Sequence, residues 1–192
     1  REHCHLTPFA DGLLPTIESG TGAWKQTDER EYAAGMFIWT GFDYMGEPTP
    51  YYSEWPARSS FFGIVDLSGL PKSRYWQYLA EWTDKDVLFV MPHWNFAGHE
   101  GEEIPVHIIT NYDKAELFLN GKSLGISEKG RYDHSEWMVP YEAGKLEVVA
   151  YDGNKIVARD EKITSSAPAR LMLKLETEDI CANGEDLALV TC

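Results

Sequence analysis

Trp39, Asp43, Tyr44 and Glu47 lie within nine residues of one another and carry the side chains best suited to hold a hydroxyl-rich ligand. An indole offers a flat apolar platform. The two carboxylates and the phenol can accept and donate hydrogen bonds around its edge. Arg58, further along, supplies a cation that could equally pair with Asp43 or Glu47 and turn either into a loop brace. Both readings stand at this level. His93, Trp94 and Asn95 form a second aromatic and polar group, for which packing at a domain junction is the simpler expectation. His99, Glu100, Glu102 and Glu103 make a short acidic cluster without the spacing of a calcium loop, and neither a HExxH pair nor a phosphate-cradling glycine loop occurs. No metal or other cofactor is therefore expected.

The elements that must position these groups divide the chain in three. Residues 1–82 hold half of the glycines and most of the prolines and aromatics, with mixed periodicity. A capping box of Asp28 and Glu31 predicts a helix over 28–34, and the apolar run Gly35-Met36-Phe37-Ile38-Trp39 predicts a buried strand. The proline- and glycine-rich stretch 40–70 is too irregular for a regular element and long enough for a functional loop system. Pro71 then opens a helix with Tyr75, Tyr78, Leu79 and Trp82 on its apolar face.

Residues 83–165 alternate with a period of two and predict seven short strands over 87–91, 105–110, 115–120, 122–126, 135–140, 145–151 and 155–162, the number of an immunoglobulin-like β-sandwich. Asn120-Gly121 and Asp152-Gly153 supply hairpin turns. Leu117, Leu119, Trp137, Leu146 and Val148 are the expected core. After Ser165-Ser166-Ala167-Pro168, the alternation of Leu171, Leu173 and Leu175 predicts a new strand, so 166–192 reads as the start of a further β-domain. The fold class expected is mainly β.

Composition narrows the partners. The 192 residues carry 17 Lys and Arg against 31 Asp and Glu, a net charge of -14 that repels phosphate backbones and anionic lipid headgroups. Neither nucleic acid nor a membrane surface is an expected partner, and no apolar run approaches the roughly 20 residues of a span. Cys4, Cys181 and Cys192 lack the short spacing of a zinc knuckle or redox pair and read as free thiols.

The run Gly35-Met36-Phe37-Ile38-Trp39-Thr40-Gly41-Phe42-Asp43-Tyr44-Met45-Gly46-Glu47-Pro48-Thr49-Pro50-Tyr51 resembles the last barrel strand and following loop of glycoside hydrolase family 2 enzymes, especially bacterial β-galactosidases. The likeness continues through Trp55 to Leu67, Leu70-Pro71-Lys72, Met91-Pro92-His93-Trp94-Asn95 and Glu116 to Gly125. It implies the terminal portion of a (β/α)8 barrel followed by the sandwich, in the C-terminal part of a retaining exo-β-glycosidase, periplasmic or secreted, that hydrolyses terminal β-linked sugars. Trp39 would then floor the sugar subsite, with Asp43, Tyr44 and Glu47 beside it and His5 reaching in from an earlier loop.

A retaining glycosidase needs two carboxyl groups about 5 Å apart on different barrel strands. The family sets its acid/base after an Asn-Glu pair, and no Asn-Glu dipeptide occurs here. Glu18 does not match the nucleophile strand, so no catalytic residue is expected and the chain alone should be inactive. An apolar strand cut from its barrel would invite self-association through residues 1–82. The rival expectation is a stand-alone carbohydrate-binding or adhesion module of immunoglobulin type.

Overall fold

The computed structural model describes residues 20–49, 51–53, 55–177, 179–188 and 190–192; Cys4, His5 and Glu18 lie outside them. The architecture is mainly β. Strands β1 (Leu88–Met91), β2 (Glu103–Thr110), β3 (Lys114–Leu119), β4 (Lys122–Glu128), β5 (Ser135–Pro140), β6 (Lys145–Asp152) and β7 (Lys155–Ile163) form two antiparallel sheets, ordered β1-β2-β5 and β4-β3-β6-β7. Each falls where the alternation places it, to within two residues at either end.

The sheets face each other across a core made by that alternation. Ala115, Leu117 and Leu119 of β3 point inward with Leu146 and Val148 of β6, and Val106, Ile108 and Val139 meet them from the other sheet. Trp137 is half-buried at the edge of this core. Asn120 and Gly121 turn the β3–β4 hairpin at φ of 51° and 79°, the left-handed pair that such a two-residue turn requires. The second hairpin turns on Gly153-Asn154, one residue later than expected, because Asp152 still pairs with Lys155 and Gly153 takes the positive φ of 59°.

Helix α1 (Gly20–Asp28) ends where a helix was expected to begin. The carboxylate of Asp28 does not cap a following helix; Arg131 and Tyr132 from the β4–β5 connection engage it, Arg131 at 2.9 Å. The predicted strand over Gly35–Trp39 does not form either. Among the described residues this run has no strand partner, and Phe37 and Trp39 are exposed. A strand exists only where neighbours take its hydrogen bonds.

Helix α2 (Ser73–Trp82) starts after Lys72, with Pro71 just outside it. Its contact face is rotated from the expected one: Trp76, Leu79 and Ala80 lie on the outer side of the three-stranded sheet against Val87, Phe89, Met91 and Ile109, with Trp76 stacked on Phe89 at 4.7 Å. Aromatics all round the helix satisfy helical spacing on more than one face, so spacing finds Tyr78 and Leu79, which are buried or packed, but misses Trp76. Tyr78 and Trp82 instead stack on each other at 4.5 Å, and Trp82 meets Trp24 of α1 edge-on. Beyond the sandwich, β8 (Lys174–Leu175) pairs with β9 (Val190–Thr191), a much shorter ladder than the leucine alternation predicts.

Candidate active-site loop

Between residues 40 and 72 the described residues form no helix or multi-residue strand but are stitched at a few points. Phe42 bridges Val65 in parallel, Met45 bridges Ser59, and Val65 bridges Pro71. The amide of Asp43 donates to the Val65 carbonyl at 2.9 Å, while fully buried Ser60 donates its amide to the Tyr44 carbonyl and accepts the Tyr44 amide on Oγ. These bonds lay 40–46 against 58–65. Gly63 makes that approach possible, because a β-carbon there would stand 2.2 Å from the Asp43 nitrogen.

Asp43 is enclosed beneath this crossing. Its Oδ1 accepts the Gly63 amide at 2.7 Å, and its Oδ2 meets Lys72 Nζ at 2.6 Å. The expected brace is therefore real, but its cation is Lys72 rather than Arg58, whose guanidinium lies over the Trp55 ring at 4.3 Å. Spacing could not reveal this. Lys72 belongs to the recognisable Leu70-Pro71-Lys72 triplet, yet nothing in the triplet names a partner 29 residues back.

Trp39, Tyr44 and Glu47 stand above the crossing and come together. The Trp39 side is open to solvent, with 74% of the residue exposed. Its Nε1 donates to Tyr44 Oη at 3.3 Å, and the two rings meet edge-on at 85°. Tyr44 Oη donates in turn to Glu47 Oε2 at 2.5 Å, and this bond to a carboxylate pushes the phenol above its usual pKa. The phenol is thus a donor throughout the neutral range. Glu47 adopts φ of 39°, a left-handed conformation costing a non-glycine residue about 1–2 kcal/mol, beside Gly46 at 84°. The arrangement offers a flat apolar face flanked by an ordered carboxylate.

The other sequence candidates lie elsewhere. Trp94 is not at a domain junction; it is fully buried in the sandwich, where its Nε1 donates to the Glu142 carbonyl at 2.9 Å. His93 stacks on Phe96. In the acidic cluster, the Glu100 carboxyl is held below the usual range by its own backbone amide and then by the Gly98 amide, and His99 Nδ1 lies 3.0 Å from Glu102. Cys181 and Cys192 are exposed free thiols.

Comparison with known proteins bears on this geometry. Residues 101–158 match a family model described as a domain of unknown function, DUF4982. The β-galactosidase BoGH2A of Bacteroides ovatus is 42% identical over 192 residues, 99% of this chain and 21% of that protein. A β-glycosidase from Bacteroides vulgatus superposes with a TM-score of 0.79 at 37% identity, covering 90% of this chain and 22% of that one. A glycosyl hydrolase family 2 member from Bacteroides cellulosilyticus gives 0.79 at 27% identity, covering 88% and 26%. The chain is a segment of a glycoside hydrolase family 2 protein.

This family 2 segment spans about a fifth of the length of the curated relative. A β-glucuronidase of the same family is a more distant structural match, with a TM-score of 0.62 at 25% identity over 69% of this chain and 14% of that one. Within the family 2 segment, the DUF4982 region begins just before β2 and ends within β7, and so comprises most of the sandwich.

Proposed function

We propose that the whole protein is a retaining exo-β-glycosidase, a β-galactosidase first of all, and that these 192 residues form its C-terminal part. In this reading 1–82 end the catalytic barrel, 83–165 are the immunoglobulin-like sandwich, and 166–192 begin a further β-domain. Both catalytic carboxyl groups come from barrel strands outside the chain, which alone turns over no glycoside. The whole protein works in the periplasm or outside the cell.

The observation that carries the reading is the exposed indole of Trp39, held edge-on by Tyr44 and next to Glu47. The indole face receives the C–H side of the terminal sugar. Glu47 accepts from a sugar hydroxyl, and Tyr44 fixes both neighbours. Asp43 and Lys72 sit below and hold the loop in position. The exposed Phe37, Met45 and Trp55 face the remainder of the barrel, and α2 seats the barrel end on the sandwich. The support for galactoside is the 42% identity along the whole chain with a β-galactosidase.

The test assays the complete reading frame and the 192-residue chain on chromogenic β-galactoside, β-glucuronide and β-mannoside. The complete protein should prefer the galactoside and the chain alone should show no turnover. Trp39→Ala in the complete protein should lower kcat/KM about 10- to 100-fold, as expected for losing one large apolar contact. Preference for glucuronide would overturn the sugar assignment, and an unaffected Trp39→Ala would overturn the subsite.

A further inference from the structure

The outer face of the β1-β2-β5 sheet carries a second group of chemistry-bearing side chains, more than a hundred residues along the chain from the histidine expected at the sugar site. His107 of β2 and Glu136 of β5 are direct cross-strand partners. His134 precedes Glu136 by two residues, and the period of a strand returns it to the same side. His107 Nδ1 lies 3.8 Å and His134 Nε2 4.0 Å from the same oxygen of Glu136, and the imidazole centroids are 5.1 Å apart. One ligand atom from each residue falls within 4.8 Å of the other two.

We infer that His107, His134 and Glu136 form a site for one first-row divalent transition-metal ion of the zinc type. Metal–ligand bonds of 2.0–2.1 Å in a tetrahedron set donors about 3.3 Å apart, so the three need only close by about 0.5–1.5 Å. Their burial permits it. The His107 side chain is 8% exposed and forms the fixed corner, while those of His134 and Glu136 are 27% and 51% exposed and can rotate toward it. Two imidazoles and one carboxylate suit zinc, nickel or copper; calcium and magnesium require oxygen ligands in greater number. Three protein ligands leave a fourth position for water.

The ion would clip β2 to the connection between β4 and β5. That connection also carries Lys129, 3.8 Å from Glu81 of α2, and Arg131 and Tyr132, which engage Asp28 of α1. Both helices touch this connection, so a bound ion stiffens the helix–sandwich junction.

The experiment titrates chelator-stripped 192-residue protein with zinc chloride by calorimetry at pH 7.5, and follows thermal unfolding with zinc, calcium and magnesium in turn. Zinc should bind at one equivalent and raise Tm by about 5 °C at a hundredfold excess over Kd. Calcium and magnesium should do neither. Cobalt should give a tetrahedral spectrum without sulfur-to-metal charge transfer, which separates this site from the three cysteines. His134→Asn and Glu136→Gln, each checked for native circular dichroism, should weaken binding at least tenfold, and Cys181→Ser with Cys192→Ser should leave it unchanged. No saturable zinc uptake, which is the result for a simple histidine–glutamate ion pair, would overturn the inference. Uptake unchanged in both His134→Asn and Glu136→Gln, or a thiolate cobalt spectrum, would overturn it equally.

Discussion

Asp43 and Lys72 form a 2.6 Å ion pair in which the Asp43 side chain is 5% exposed and that of Lys72 31%. The pair joins the loop under Trp39 to the residue that precedes α2, so the candidate sugar platform and the helix seated on the sandwich are mechanically one unit. Removing Asp43 leaves Lys72 able to reach water, while the Gly63 amide loses its acceptor inside the crossing. Asp43→Ala should therefore cost about 1–3 kcal/mol, short of the penalty for stranding a wholly buried charge. Thermal unfolding measures the loss. Limited proteolysis should locate new cleavage between residues 40 and 70.

Gly63 tests the crossing from the other segment. A β-carbon there would meet only backbone, at 2.2 Å from Asp43 N, 2.5 Å from Phe42 C and 2.6 Å from Val65 O, and backbone atoms cannot rotate away. Gly63→Ala should destabilise by about 2 kcal/mol or more and expose the Asp43–Lys72 pair. Gly41→Ala, with nothing within 4 Å and no positive φ, should change stability by less than about 0.5 kcal/mol. Equal melting temperatures for the two variants would show that the 40–46 and 58–65 segments do not pack as described.

How far the chain could be read in advance follows from the range of the interactions. The seven sandwich strands were legible because each alternates and each turn advertises itself, as Asn120-Gly121 does. The run Gly35–Trp39 was not, because an apolar segment carries no information on whether partner strands are present. Trp39, Tyr44 and Glu47 were found together because they are close in sequence. The Asp43–Lys72 brace and the His107–Glu136 register join residues 29 apart in both cases, and only the folded chain pairs them. Trp94 reads as structural from the sequence, but a Trp after a strand can turn either way, and the fold turns it into the sandwich core.

Charge on the outer face of β6 and β7 predicts how stability responds to acid. Glu147 stands opposite Glu161, and Lys145 lies between them at 2.8 and 2.6 Å, with Arg159 at 2.5 Å from Glu147. The hydrogen bond from Lys145 holds the Glu147 carboxyl below its ordinary value of 4.5, Arg159 adds to it, and partial burial opposes both. Glu116 is lowered likewise, by Ser123 and then Tyr151. A lowered carboxyl pKa means that the unfolded chain takes the proton first, so this stability is fully present above about pH 4.5 and is lost as pH falls through the folded values. Tm should drop on acidification below that point. Glu147→Gln should melt lower at pH 7 and show a shallower acid slope; an unchanged slope would remove these bridges from the account.

The last prediction concerns how much of the sandwich is self-sufficient. Its two ends are tied: Thr164 Oγ1 donates to the Trp94 carbonyl at 2.6 Å and accepts the Gly144 amide, and the Ser165 amide donates to Asn95 Oδ1 at 2.6 Å. A polypeptide of residues 84–166 keeps these bonds and the whole core, and should fold cooperatively. It nevertheless lacks α2, and so bares Val87, Phe89, Met91 and Ile109 on the outer face of the three-stranded sheet. Returning Trp76, Leu79 and Ala80 to that face buries two large apolar side chains, each worth about 1.5–3 kcal/mol. Residues 73–166 should therefore be more stable than 84–166 by about 3 kcal/mol or more in urea, and the shorter polypeptide alone should self-associate at high concentration. Trp76→Ala should erase most of the difference. If the two polypeptides unfold at the same urea concentration, α2 is not part of the sandwich's stable unit, and the link from the Asp43–Lys72 brace to the β-domain ends at residue 72.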